Sequence, residues 1–388
     1  MSTHRFGPDF VRIFLAGLLQ EVSFVLMVHF PGYVQGLGAT ESLIGLLYAG
    51  GAIMALLFRP LLGRVLDLTH RRTVLLFCGI SNVTVVALLA LTSHWGVLLW
   101  GLFLMQRVFQ IALFTTMLTY MADSLPLEHR TQGLALFGMS GLIPIALGGV
   151  IGDLVIDGLG FGALFLLSAG AGLISWSIVW SLPVLPVMST RPRRGFWSAL
   201  AQRNLLPLWW ITLCFSIGME TLFTFTRTYV DDRQIGSTGI FFGVYGVTAA
   251  AMRLIGGNRY DRVPHRPLAV VALISYGVGL GLLAVAGSVP ILALAAFFGG
   301  LAHGGLFPLL SSQVVARART AERGSAMAVF TSIFDIALLV AAPSVGSLIE
   351  GFDYEVAFAV VAVVLVIGSG VYAIWDRRMV AAEALAAA

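Results

Sequence analysis

Twelve apolar runs, each about 20 residues or longer and separated by short breaks, constrain this chain more than any other feature. A hydrocarbon interior offers the backbone no water, so a run of this length must satisfy its own amides as a helix. The runs predict helices over roughly 10–34, 40–62, 73–93, 96–119, 132–156, 161–182, 206–230, 237–257, 268–287, 290–314, 325–349 and 355–375. Breaks such as Gly36-Leu37-Gly38, Gly158-Leu159-Gly160 and Ser288-Val289-Pro290 carry turn chemistry. Composition agrees: 58% of the 388 residues are hydrophobic and 11% are charged, against about 25% charged in a soluble domain. Neither a soluble globule nor a disordered chain fits. The expected class is an all-α membrane protein with twelve transmembrane helices in two pseudo-symmetric six-helix bundles. The bundles are expected over residues 1–182 and 206–388, joined by a cytoplasmic linker over 183–205 that is rich in Pro and Arg.

Charge orients the spans. Arg64, Arg71, Arg72, Arg130, Arg191, Arg193, Arg194, Arg317, Arg377 and Arg378 fall at one face under this count. The other face carries Glu41, Asp157, Asp231, Asp232, Glu350, Asp353 and Glu355, with only Arg227 and Arg233 opposing them. The positive-inside rule then places both termini in the cytoplasm, as in a bacterial-type inner membrane. The net charge of +4 belongs to these basic loops, and no nucleic-acid partner is expected. Residues 1–10 lack an apolar core ending in a cleavage site, so no cleaved signal peptide is expected. Residues from Val380 onward read as a frayed tail. Cys78 and Cys214 lie in separate apolar runs and read as buried small side chains rather than a disulfide or metal pair. No metal and no cofactor is expected.

Sliding the chain by 194 residues lays Arg59, Gly63, Asp67 and Arg72 over Arg253, Gly257, Asp261 and Arg266, and Glu128 over Glu322. Matches at one offset in two separate loops argue for duplicated halves. The segment Gly63-Arg-Val-Leu-Asp67-Leu-Thr-His-Arg71-Arg72 resembles the loop signature between the second and third helices of the major facilitator superfamily, with His70 where that signature has Gly. The resemblance implies that superfamily's fold and a cytoplasmic gate built from Arg59, Gly63, Asp67, Arg71, Arg72, Arg253, Gly257, Asp261 and Arg266. In it, Gly63 lets the second helix end against a neighbour, and Asp67 caps a helix or pairs with an Arg across the bundle. The alternative is a solvated basic turn that only sets orientation.

A charge at bilayer depth costs several kcal/mol, so each one is a functional candidate. Glu21 lies about eleven residues, or ~16 Å, into the first span. Protonated, its carboxyl can sit in an apolar path; ionised, it needs an Arg or a cationic substrate, which is the chemistry of proton coupling. Arg107, mid-way along the fourth span, is the expected counter-charge. Arg107-Val-Phe-Gln110 resembles the Arg-x-x-Gln-Gly signature of proton-coupled facilitators, with Ile111 in place of the final Gly. Asp335 and Glu220 are the candidates of the second half, as second proton sites or contacts for a cationic group, or else as helix-to-helix bonds. His303 reads either as a titrating imidazole or as a packed core histidine. Gly141, Pro144, Gly148 and Gly149 resemble the Gly- and Pro-rich fifth helix of the antiporter branch, with Ile143 before Pro144 and the glycine pair one residue late. The resemblance implies a hinge there; close packing is the alternative. Leu125 to Gly133, together with Asp335, resembles a branch of exporters that includes metallophore exporters.

A secondary transporter follows, acting on a small-molecule substrate and protons in the lipid bilayer and expected to work as a monomer. Proton-coupled efflux is the leading expectation, and proton symport or facilitated uptake of a solute such as a sugar is the alternative. A sugar site would need many intramembrane amides; Gln20, Asn82, Gln106 and Gln110 are the chief ones, which leans toward amphiphilic or cationic cargo. An enzyme is disfavoured. The chain has no His-Glu-x-x-His, no Gly-x-Ser-x-Gly and, because all 23 basic residues are Arg, no phosphate-loop Lys. A non-transporting sensor is disfavoured by the acids and Arg retained within the spans.

Overall fold

The computed structural model describes residues 7–125, 133, 136–186, 195–256 and 264–387. The first span is α1 (Pro8–Val25), a 3-10 turn (Leu26–His29) and α2 (Phe30–Gly36). Then come α3 (Glu41–Leu68), α4 (Arg71–Leu89), α5 (Val97–Ser124), α6 (Met139–Trp180) and the short α7 (Phe196–Leu200). The rest is α8 (Leu206–Arg233), α9 (Thr238–Gly256), α10 (His265–Ala284), α11 (Val289–Arg317), α12 (Arg323–Gly351) and α13 (Tyr354–Ala387). No strand occurs among the described residues.

Among the described residues, eleven segments are long and apolar enough to cross a membrane. One of them, α6, has 42 residues, ~63 Å at 1.5 Å per residue and about twice a hydrocarbon core. Its backbone breaks at Gly160, where φ is 79° and ψ is 177°, a conformation cheap only for glycine. It therefore holds the fifth and sixth spans, and twelve crossings stand. Helix α13 continues to Ala387, past the point where fraying was expected. Exposed Leu57, Phe77, Leu166, Ile174, Val271 and Ile367 leave a surface suited to acyl chains rather than to water.

The chain forms two compact units. The first holds residues up to 39, 50–190 and 237–246; the second holds 40–49, 191–236 and 247 onward. The division falls near residue 190, except that the first turns of α3 and α9 belong with the opposite part of the chain. Glycines make these turns fit. An added Cβ at Gly45 would stand 2.3 Å from the Ala342 carbonyl oxygen on α12, and one at Gly246 would stand 2.4 Å from the Ala146 nitrogen on α6. Gly45 and Gly239, and Gly152 and Gly346, are also related by the offset of 194, and all four are tight against a neighbouring segment.

The first unit packs Ile13, Leu75, Leu113, Met117 and Tyr120 into its core beside free, buried Cys78. Polar bonds join its helices where lipid gives no other partner: Ser175 Oγ donates to the Ala16 carbonyl at 2.7 Å, and Trp176 Nε1 to Leu76 at 2.9 Å. The second unit is cored by aromatic rings. Phe215 meets Tyr276, His303 and Phe334 edge-on at 5.7–5.9 Å, and Tyr229 packs on Tyr354 and Phe358. Cys214 is buried and free here as well.

Candidate substrate site

In the first unit, Glu21 stands on α1 and Arg107 on α5. Gln20 Nε2 donates to Gln110 Oε1 at 3.1 Å, fixing the rotation of the two helices at this level. One turn along, the Arg107 guanidinium lies over the Phe24 ring, 5.7 Å from its centroid. Its stem runs across Gly51 of α3, where a Cβ would meet Arg107 Cγ at 3.0 Å and Nε at 3.5 Å. Glycine at 51 gives this arginine its room. Arg107 Nε is buried with no hydrogen-bond acceptor among the described residues.

Glu21 is partly buried and three residues before Phe24 on α1. Among the described residues it makes no hydrogen bond or ion pair. Sequence reasoning paired it with Arg107; the structure does not. Arg107 turns instead to the aromatic face of Phe24. A cation–π contact is worth up to about 2 kcal/mol when desolvated, while an uncompensated charge in a membrane interior costs more. The ring therefore offsets only part of the burial, and both charges keep an unmet demand for a partner.

The second unit is arranged differently. Asp335 and His303 are buried and Glu220 is partly buried, and all three are engaged with other groups. The Arg253 guanidinium lies over Phe307 at 5.8 Å, and Phe307 packs on Phe330 and Phe334. Arg253 is thus part of an aromatic cluster within its unit rather than a residue of a solvated loop.

The loop residues separate into bound and unbound. Arg71 is buried, its Nε 3.2 Å from Asp123 Oδ2, and it donates to the Leu66 carbonyl. Arg72 donates to the Trp180 carbonyl and lies over that indole ring. Arg59 is partly buried and engaged. Asp67 is exposed and has no partner among the described residues, and the arginine four residues on, Arg71, is paired with Asp123. Gly63 is exposed inside a helix that runs on to Leu68, and a Cβ there would meet nothing, so it does not end the helix against a neighbour. Arg266 and Arg317 both pair with Asp376, which is 1% exposed. Gly257 and Asp261 lie outside the described residues.

Glycines of α6 serve packing. Gly148 faces Val25 and Gly149 faces Phe242, whereas Gly141 faces open space. Pro144 is buried within helical backbone, and the one non-helical residue of α6 is Gly160. Sequence reasoning missed Asp153. Its Oδ1 is 3.6 Å from Nδ1 of fully buried His29, and its Oδ2 accepts the Gly239 amide at 2.5 Å. Glu350 likewise accepts the Ser42 amide at 3.3 Å. In each unit a carboxylate satisfies the free amides at the start of another helix. The signal available was the recurrence of Gly45 and Gly152 at the repeat offset.

A family model for the Major Facilitator Superfamily matches residues 13–262 and 234–386. The chain belongs to the major facilitator superfamily. An uncharacterised MFS-type transporter of Salmonella typhimurium is 25% identical over 386 residues, covering 96% of this chain and 97% of that one. The staphylopine export protein of Staphylococcus aureus is 28% identical over 155 residues, 39% of this chain and 36% of its own. Among solved structures, a POT family transporter in complex with 5-aminolevulinic acid superposes with a TM-score of 0.82 at 13% identity, covering 97% of this chain and 98% of that one. The nucleoside transporter NupG gives a TM-score of 0.75 at 13% identity, over 95% and 99% of the two chains. These structures share the fold. The chain is therefore an integral, multi-pass membrane protein of a transporter family, and its relatives are named as transporters rather than enzymes.

Proposed function

We propose that this superfamily member exports a small organic solute in exchange for protons, with Glu21 the carboxyl for which proton and cargo compete. The observation that carries this reading is Glu21 itself, an acid well inside a membrane span with no protein partner among the described residues. Ionised, it attracts a cationic group of the cargo from the cytoplasmic side. A proton arriving from the other side adds to a carboxylate oxygen, removes the charge and frees the cargo. The neutral acid then returns through the apolar path at lower cost than the carboxylate, and loses its proton to the cytoplasm. Arg107 stays charged throughout and so cannot carry the proton. The family's transport role supports the reading, and the partial likeness to an export protein favours efflux over uptake.

The arginine-rich helix ends and both termini face the cytoplasm, across a bacterial-type inner membrane, and the chain works as a monomer. At the acidic face, Arg227 pairs with Asp231 at 2.7 Å and Arg233 with Glu355 at 2.6 Å. The two basic residues there are neutralised locally, which fits the positive-inside assignment.

The test is uphill accumulation of a panel of radiolabelled amines and amino acids in proteoliposomes under an imposed pH gradient. Wild type is expected to concentrate at least one member when the gradient is present and none when it is collapsed. Glu21→Gln loses the gradient-driven component while still binding that solute. Gradient-driven flux unchanged in Glu21→Gln would remove Glu21 from the mechanism.

A further inference from the structure

The geometry points to a zwitterionic cargo, its carboxylate held by Arg107 and its ammonium by Glu21. This rests on the transport reading above and adds the substrate class. Three observations carry it. Glu21 and Arg107 are opposite charges within one unit, neither has an ionic or hydrogen-bonded partner among the described residues, and they are not paired with each other. The separation is built in: Arg107 is drawn over Phe24 and seated across Gly51, while Glu21 is the neighbour of Phe24 one helical turn away. The frame is fixed by the Gln20–Gln110 bond between the same two helices.

Each simpler cargo leaves something unmet. A cation without an acid satisfies Glu21 but leaves Arg107 without a partner and is repelled by it within the same low-dielectric unit. An anion without an amine does the reverse. A neutral solute leaves both charges without a partner. A molecule with both groups on neighbouring carbons satisfies the two, and Arg107 presents a planar donor fork suited to a carboxylate. Phe24, and Phe103 beside Gly51, make an apolar or aromatic body favourable.

The experiment uses the full chain in nanodiscs and three probes sharing an indole body: tryptophan (both charges), tryptamine (ammonium only) and indole-3-propionate (carboxylate only). Wild type is expected to bind tryptophan at least about tenfold more tightly than either analogue, each charge-assisted contact being worth that much or more. Arg107→Gln erases the preference over tryptamine, Arg107→Lys keeps part of it, and Glu21→Gln erases the preference over indole-3-propionate. The inference is overturned if tryptamine binds as well as tryptophan, if none of the three binds, or if Arg107→Gln weakens all three by one factor, the mark of a merely structural arginine. Proton-driven transport by a wild type that prefers tryptamine would sink this inference alone. Selective tryptophan binding without gradient-driven flux would sink the coupling reading alone.

Discussion

Glu21 and Arg107 lie within spans and have no ionic partner among the described residues, whereas Asp376 has two. Asp376 is 1% exposed and held by Arg266 and Arg317. Removing one member of a buried ion pair typically costs 3–5 kcal/mol. Asp376→Ala is therefore expected to lower stability by about 3 kcal/mol, read as a drop of several degrees in the melting point in detergent. Phe24→Leu removes the ring beneath Arg107, and about 1 kcal/mol of stability with it; an unchanged melting point would refute the cation–π contact. Glu21 and Arg107 were legible in the sequence because a charge inside an apolar run stands out. That they are not paired with each other was not. It depends on which way a long side chain turns, and Gly51 and Phe24, unremarkable in a list, decide that. Asp123 and Asp376 sit at span ends, where an acid raises no alarm, so their arginines could not be assigned from spacing.

At the scale of elements, the helices and their breaks were readable almost throughout, because lipid makes helix formation nearly obligatory for a long apolar run. What sequence could not give was the difference between a glycine that packs and one that does not. Gly45 meets backbone at 2.3 Å, whereas Gly63 meets nothing. Gly45→Ala is therefore expected to destabilise by about 1–3 kcal/mol through overpacking, and Gly63→Ala to stabilise its helix by about 1 kcal/mol. Thermal melts of the two variants side by side check this, and equal shifts would contradict it. The loop resemblance assigned Gly63 a packing role from its position in a motif, but contact is settled by what stands opposite. Gly160, by contrast, was placed correctly at a break, since its left-handed φ divides the 42 residues of α6 into two crossings.

For the whole molecule, the 194-residue offset gave no sign of the exchange of first turns, by which residues 40–49 and 237–246 pack with the opposite sequence half. Such an exchange needs contact geometry that a linear repeat does not contain. The topology is testable on intact cells with a membrane-impermeant maleimide. Asp353→Cys is expected to label from outside and Arg378→Cys only after permeabilisation. Native Cys78 and Cys214 are buried and should contribute little background. The reverse pattern would invert the orientation and, with it, the direction of transport.

The central claim, that proton and cargo compete for one carboxyl, is met most directly by tryptophan binding in nanodiscs across roughly pH 5 to pH 9, wild type against Glu21→Gln. If Glu21 must be ionised to hold the ammonium, wild-type affinity falls with acidification, approaching about tenfold per pH unit once the acid is mostly protonated. The Gln variant, with no proton to exchange, should bind weakly and show no such slope. The same pH profile in both proteins would contradict the account.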